Sequence, residues 1–487
     1  MNKYIDLIKK ASKNKVLNYI FSRYATYLIQ FINSLFIAVY LGPYYLGIWG
    51  FISLVIHYIN QINFGISHSV NAIIAIHKDN ELYVKKIIGT SITMLLGLSF
   101  LLILLFITND FFDLNIGSKY NFSSYAPMVA IIGILSYFNS LFSNIFRVYG
   151  KVLEMAINQS AFPILMLIAI IFFRGEDLLL ALVYTNLISF LFSLILYLCR
   201  VPIKFKPVFI PRLIKTIQKK GWYLFIYNTS FYLIVISTRS FVSTYYKVDE
   251  FGYFTFAFSL ANVILLLLQS FSYLIFPKIL NRFSNKNTES NNQLLNRLRN
   301  TYITTSHLLL YISLITFPIL LILIPKYSDS FEAFSLITLT VVLYTNSFGY
   351  SGLLIAKGKE KTLGYVSFAS LLLNIILVYI LTNILKVDFS MAILGTMISY
   401  FVFVFLLTKL GRKYIQLESS LNSCLKDAFP IRLALPFILA TIFAIIKLNS
   451  LLMIIPLMIF IILNYKILIS LKQDVKQLII NPNITDI

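Results

Sequence analysis

The sequence predicts an all-α polytopic membrane protein of 12–14 transmembrane helices, arranged as two parallel six-helix bundles with a C-terminal helix pair. Three observations predict it. Of 487 residues, 59% are hydrophobic and 12% charged, and mean hydropathy is +0.82; soluble domains carry roughly 25% charged residues. The lysines and arginines fall almost entirely on one side of the predicted spans. An internal repeat relates the two halves.

The apolar residues form runs that match the ~20 helical residues needed to cross a hydrocarbon core. The clearest is 87–107, IIGTSITMLLGLSFLLILLFI. Spans are expected near 17–40, 45–72, 87–109, 124–148, 152–173 and 178–200. A second set follows at 222–246, 251–278, 302–324, 331–356, 362–385 and 389–409. A final pair, 431–447 and 449–468, holds Pro436 and Pro456, with Pro430 just before it. The organisation is thus a six-helix bundle (1–200), a basic cytoplasmic linker (201–220), a second bundle (221–410), and a linker, helix pair and tail (411–487). Residues 1–15 fit either a basic amphipathic helix on the inner leaflet or a disordered basic tail.

Net charge is +22, which in a soluble chain suggests nucleic acid. Here the positive-inside rule explains it. With the N-terminus in the cytoplasm, 33 of the 41 basic residues lie on cytoplasmic segments and six on the other side. Arg23 and Arg239 lie inside spans. Nucleic acid is therefore excluded as a partner, and fourteen spans leave both termini cytoplasmic. Two cysteines, Cys199 and Cys424, give no disulfide framework. No cleavable signal peptide pattern is found.

The repeat rests on two pairs of sites. YLGPYYLGIWGF (40–51) and YYKVDEFGYFTF (245–256) align Gly47 with Gly252, an offset of 205. Arg147-Val-Tyr-Gly150-Lys151 and Ala356-Lys-Gly358-Lys359 form equivalent basic turns, an offset of 208. Six spans per repeat is an even number, so the repeats are parallel, and transporters built this way place the substrate path between the halves.

LGPYYLGIWGF, followed by FGISHSVNAIIAIHK, resembles the opening of the polysaccharide flippases. VDEFGYFTFAFSLANV and SYLIFPKILNRFSNK (272–286) are similar to their second half. These are the O-antigen-type lipid-linked oligosaccharide flippases of the multidrug/oligosaccharidyl-lipid/polysaccharide exporter superfamily. The resemblance covers roughly 15–470. It implies two six-helix bundles around a central cavity, alternating access, and a polyprenyl-pyrophosphate-linked oligosaccharide as cargo in the bacterial inner membrane. Implied partners are membrane lipids, a polysaccharide polymerase and a chain-length regulator. The chain departs from the pattern at Asn71, where relatives often carry a basic residue, and at Thr238, where many carry an acidic one.

Such a cargo has an anionic head, a polar glycan and a lipid tail. Charged residues inside spans are costly and mark function by default. Arg23 and Arg239, with Gln30 and Asn228, are the expected contacts of the diphosphate. The competing reading has Arg23 snorkel to the inner headgroups and Arg239 pair with backbone carbonyls. Arg23, Tyr27, Gln30 and Ser34 share one helix face, as do Asn228, Tyr232, Arg239 and Ser243. The second span presents His57, Asn60, Gln61, Phe64, His68 and Asn71. The neutral residues of these stripes are the expected glycan contacts; the alternative is that they bond helices together.

No cofactor is expected beyond a proton or sodium gradient. Ion-coupling candidates are His307 and Glu154, the latter read as the only acidic residue near a span interior and as a partner for Lys151. His57 and His68 also titrate in the neutral range when free. Pro163, Pro277 and Pro318 could break helices. There is no GxxxxGK[ST], HExxH, CxxC or serine elbow, so no enzyme and no metal site is expected. The alternatives are a multidrug or other lipid-precursor exporter of the same superfamily, and a membrane glycan polymerase or ligase. A cationic path argues against drug cations, and external loops no longer than about fifteen residues argue against a polymerase.

Overall fold

The computed structural model describes residues 15–112, 117–264, 266 and 288–480, and among these every regular element is helical. The basic segment before residue 15, the 272–286 motif with Pro277, and the tail beyond 480 lie outside the described residues. Two compact units divide the chain, Met1–Phe256 and Ala257–Ile487.

In the first unit α1 (Lys15–Gln61) is two helices joined at Gly42, whose φ of 73° and ψ of 170° break the helix just before Pro43. Proline at the first position of the next helix costs nothing, since its missing N–H would be unsatisfied there anyway. The first leg runs beside α5 (Val152–Phe172). Thr26 and Ser160 hydroxyls bond at 2.7 Å, and the Asn33 amide donates to the Pro163 carbonyl at 2.7 Å. At its end Tyr40 lies under the Arg174 guanidinium. The second leg starts from that same turn, Tyr45 donating to Glu176 at 3.4 Å, and runs back. It stops four residues short of α2 (Ile66–Ile76), a break that the expected continuous span 45–72 did not anticipate. Phe64 (φ 48°) and Gly65 (φ 72°) make this break.

The unit continues through α3 (Glu81–Phe111), α4 (Ala126–Val148), α6 (Gly175–Cys199) and α7 (Pro211–Tyr245), and α8 starts at 248 and is described to 264. α3 has mean hydropathy 2.5 in its most apolar window, yet only 33% of that window is buried. Leu96, Phe100, Leu101 and Leu105 project outward from it. In water so large an apolar face would be untenable; in lipid it is satisfied.

The second unit holds α9 (Thr288–Leu323), α10 (Phe331–Leu343), α11 (Tyr350–Ala356), α12 (Glu360–Tyr379) and α13 (Ile393–Tyr414). It ends with α14 (Leu421–Ala428), α15 (Ile431–Ile445) and α16 (Ile454–Ile480). α10 and α11 form one bent pair, α14 and α15 another, bent by 70°.

Among the described residues, nine helices are long and apolar enough to span a membrane, or eleven with each bent pair counted once. Counting the two legs of α1 separately and adding α7 and α8 reaches the upper end of the expected 12–14. Helix α7 has the length, at 35 residues, but not the hydropathy. Its Tyr, Ser, Thr, Asn and Arg residues dilute the apolar ones, as befits a helix covered by protein more than by lipid.

Local geometry carries the repeat. The second leg of α1 starts at Pro43 and α8 at Val248, 205 residues apart. The α4 and α11 helices end 208 residues apart, each followed by a glycine with φ 66°. Lys151 N donates to Phe146 O at 2.9 Å, and Lys359 N to Leu354 O at 2.8 Å. Both ends are thus the same left-handed glycine cap, with a six-to-one bond that satisfies an orphan carbonyl.

Candidate substrate path

The polar stripes of the second leg and of α7 face each other. His57 Nδ1 and the Tyr232 hydroxyl are 2.7 Å apart, and the Tyr58 and Ser240 hydroxyls also 2.7 Å. Thr229 donates to Gln61 Oε1 at 3.4 Å. Nearer the hinge at Gly42, where the two legs of α1 join, Arg239 Nη2 donates to the Gly50 carbonyl at 3.3 Å. Away from the hinge, the seam closes where Gly65 meets Phe225 and Ser69 meets Gly221. Apart from the Tyr58–Ser240 bond, each step along one helix is matched by a nearly equal step back along the other, so this is one antiparallel seam across the unit.

Arg239 is 3% exposed, its guanidinium 5.9 Å from the centre of the Phe251 ring. The carbonyl pairing considered from the sequence is therefore made in this state by one of its nitrogens. The Gly50 carbonyl and the Phe251 ring are two of the contacts that hold its charge. An arginine kept this way is suited to an anion, whose two oxygens its planar fork can bind at once.

The seam is sealed at the hinge end by a loop that the sequence reading counted only as a connector. Tyr120 stacks on Phe51 with ring centres 4.4 Å apart, and its hydroxyl donates to the Ser243 carbonyl at 2.7 Å. Lys119 Nζ donates to the same carbonyl at 3.1 Å and also to that of Tyr246. Burial pulls the Lys119 pKa below the usual lysine range, an effect the Glu250 charge opposes. Ser243, proposed for the path, is buried there, its hydroxyl donating to the Ser240 carbonyl at 2.8 Å.

The remaining residues scatter. Arg23 is half-buried, 5.5 Å from the Tyr27 ring centre, and Tyr27 is buried. Gln30 and Ser34 are half-buried, with the Ser34 hydroxyl donating to the Gln30 carbonyl at 2.9 Å. Asn60 and Asn228 are half-buried beside the seam. His68 is exposed and Asn71 half-buried, both beyond the break at 62–65, which takes them out of the helical register of His57 and Gln61.

Glu154 is buried and pairs with Arg200 at 3.6 Å rather than with Lys151. A second bonded acid, Asp427, is half-buried. In the second unit Asp427 accepts from Arg299 at 2.7 Å, Arg412 at 3.1 Å and Tyr350 at 2.5 Å. Arg299 also donates to the Asn346 carbonyl at 3.0 Å. Asn346 in turn donates to Ala428 O and meets His307 Nε2, each at 3.0 Å. With its amide nitrogen so engaged, Asn346 offers His307 an oxygen, which fixes the imidazole proton on Nε2. His307, 1% exposed, thus belongs to a bonded network that ties α9, the turn after α10 (Tyr344–Ser347), α11 and α13 to α14.

Comparison with known proteins agrees with this architecture. An inward-facing multidrug resistance MATE family transporter of the MOP superfamily matches with TM-score 0.67 and 15% identity, over 82% of this chain and 98% of that one. The lipid II flippase MurJ, in an inward closed conformation, matches with TM-score 0.67 and 16% identity, over 94% and 99%. At such identities the likeness is one of fold. No curated protein matches the chain. The family model described as polysaccharide biosynthesis protein matches residues 12–283, more than half of the sequence. The chain is therefore a multi-pass membrane protein with the fold of the MOP superfamily transporters, and it belongs to the polysaccharide biosynthesis protein family.

Proposed function

We propose that the protein is a flippase. It moves polyprenyl-pyrophosphate-linked oligosaccharide repeat units across the bacterial inner membrane, by alternating access, for O-antigen or capsule synthesis. The observation that carries this reading is Arg239, a cation buried in a polar seam where it donates to the Gly50 carbonyl. A diphosphate offers this guanidinium two oxygens that its planar fork can bind at once. His57, Gln61, Thr229 and Tyr232 offer neutral donors and acceptors that exchange between each other and sugar hydroxyls as the seam parts. Membership of a polysaccharide biosynthesis family, with the fold of a lipid II flippase among its likenesses, supports the same cargo class. A drug-cation exporter would need carboxylates where this seam has an arginine.

The cycle requires a driving force, for which we propose a proton or sodium gradient, and downstream partners, for which we propose a polysaccharide polymerase and chain-length regulator. Complementation of a strain lacking its own oligosaccharide flippase tests the function. Wild type should restore surface glycan, and equally expressed Arg239→Ala should accumulate intermediate on the cytoplasmic leaflet. If wild type, given its native precursor, lengthens chains without moving them, the polymerase reading replaces this one.

A further inference from the structure

A basic cleft lies apart from the seam, where α3 begins. The connector 201–210 joins α6 to α7 and lies against that start. Val208 N donates to the Gly89 carbonyl at 3.3 Å, and Thr93 donates to the Val208 carbonyl at 3.1 Å. A Cβ on Gly89 would fall 2.2 Å from the Lys206 carbonyl oxygen, so the connector reaches this position only because residue 89 has no side chain.

Connector and helix enclose a cleft of about 660 Å³ with Lys85, Lys86, Lys204 and Lys206 on its walls. Glu81 engages one of them, Lys85, at 2.7 Å. Lys86, Lys204 and Lys206 are exposed and have no ion pair among the described residues. The floor is apolar, with Leu198, Phe205 and Val208. Two large apolar side chains flank the lysines on the same two elements: Leu82 is 73% exposed and Phe209 68%.

We propose that this cleft binds the phosphodiester headgroup of an anionic membrane lipid. Lys85 and Lys86 stand immediately before the apolar run 87–107, and Lys204 and Lys206 shortly after the apolar run 178–199, the depth at which lipid phosphates sit. Exposed Leu82 and Phe209 are unfavourable in water and favourable at the boundary between headgroups and acyl chains. Lysine, a flexible point charge, suits a phosphate that arrives in varied orientations. The apolar floor accommodates the first acyl carbons, which a soluble anion lacks. A bound lipid would neutralise the three unpaired ammonium groups and hold the connector against α3. The proposal rests on the membrane-spanning fold and not on the cargo assigned above.

Native mass spectrometry and thermal unfolding of the purified full chain test it, with phosphatidylglycerol or phosphatidylcholine added. Phosphatidylglycerol should stay bound and raise Tm, and phosphatidylcholine should do neither. The triple variant Lys86→Gln/Lys204→Gln/Lys206→Gln should keep its lipid-free Tm and bind phosphatidylglycerol about fivefold more weakly per lysine removed. The control Lys357→Gln/Lys409→Gln/Lys426→Gln changes exposed lysines of the second unit and should bind as wild type does. Equal losses in both triple variants would reduce the effect to bulk charge and overturn the proposal. So would undiminished binding by the first variant, or displacement of the lipid by inorganic phosphate or an oligonucleotide. Failure of this test leaves transport in the complementation assay untouched, so the two readings fail separately.

Discussion

Gly47 and Gly252, placed at equivalent positions by the repeat, lie against each other in the folded protein. A Cβ on Gly252 would fall 2.0 Å from the Pro43 carbonyl oxygen and 3.2 Å from Gly47 N. A Cβ on Gly47 would fall 2.2 Å from the Val248 carbonyl oxygen. The two copies of one turn motif therefore meet backbone to backbone and close the hinge end of the seam.

Side chains at these positions should wedge that end apart. Gly252→Val is expected to destabilise the present state by about 1–3 kcal/mol, the usual cost of overpacking. Cysteine labelling at Thr244 or Tyr245, both exposed beside the closed end, should speed up in the variant if the end opens. Gly97, with nothing within 4 Å of its added Cβ, is the control position: Gly97→Val should leave labelling unchanged.

The His57–Tyr232 bond tests the seam's middle. Removing the hydroxyl in Tyr232→Phe leaves a half-buried imidazole nitrogen without that partner and should cost about 1 kcal/mol, whereas His57→Phe with Tyr232→Phe removes both groups and should cost less. Thermal unfolding of the two single variants and the double variant gives the coupling directly. Additive losses would mean the bond contributes nothing.

The Asp427 network makes a third prediction. Asp427→Ala leaves Arg299, whose side chain is 4% exposed, without its carboxylate and should destabilise by about 3–5 kcal/mol. Arg299→Met combined with Asp427→Ala should recover part of that loss, because the most buried charge is then removed and Arg412, the other partner, still donates to the Glu418 carbonyl. A double variant worse than either single one would show that Arg299 is stabilised by other groups, such as the Asn346 carbonyl.

How much of this was legible in the sequence follows from the range of each interaction. Span positions depend on hydropathy over some twenty residues, so boundaries such as 152–173 and 178–200 came within three residues of α5 and α6. The glycine caps at 150 and 358 were visible because a left-handed turn leaves a local mark. The break at 62–65 was not visible, since Phe64 takes a positive φ only with α7 packed behind it, its ring 5.9 Å from that of Phe225. Asp427 was hidden for a related reason. It sits in a stretch that reads as cytoplasmic linker, and its partners Arg299, Tyr350 and Arg412 are distant in sequence. Lys119 did leave a trace, as one of few lysines on a side otherwise depleted of them. Helical periodicity did pair the faces of the second span and α7, but it could not show that His57 and Tyr232 bond to each other.

The central claim is that Arg239 carries an anionic lipid-linked head across the membrane, and flipping measured in proteoliposomes tests it most directly. A fluorescent polyprenyl-diphosphate oligosaccharide is followed with wild type, Arg239→Lys and Arg239→Ala. Loss of one charge-assisted contact of at least ~1.5 kcal/mol predicts a rate at least about tenfold lower for Arg239→Ala, with Arg239→Lys between the two. Equal rates for wild type and Arg239→Ala, or transport of a neutral glycolipid as fast as of the diphosphate, would contradict the account.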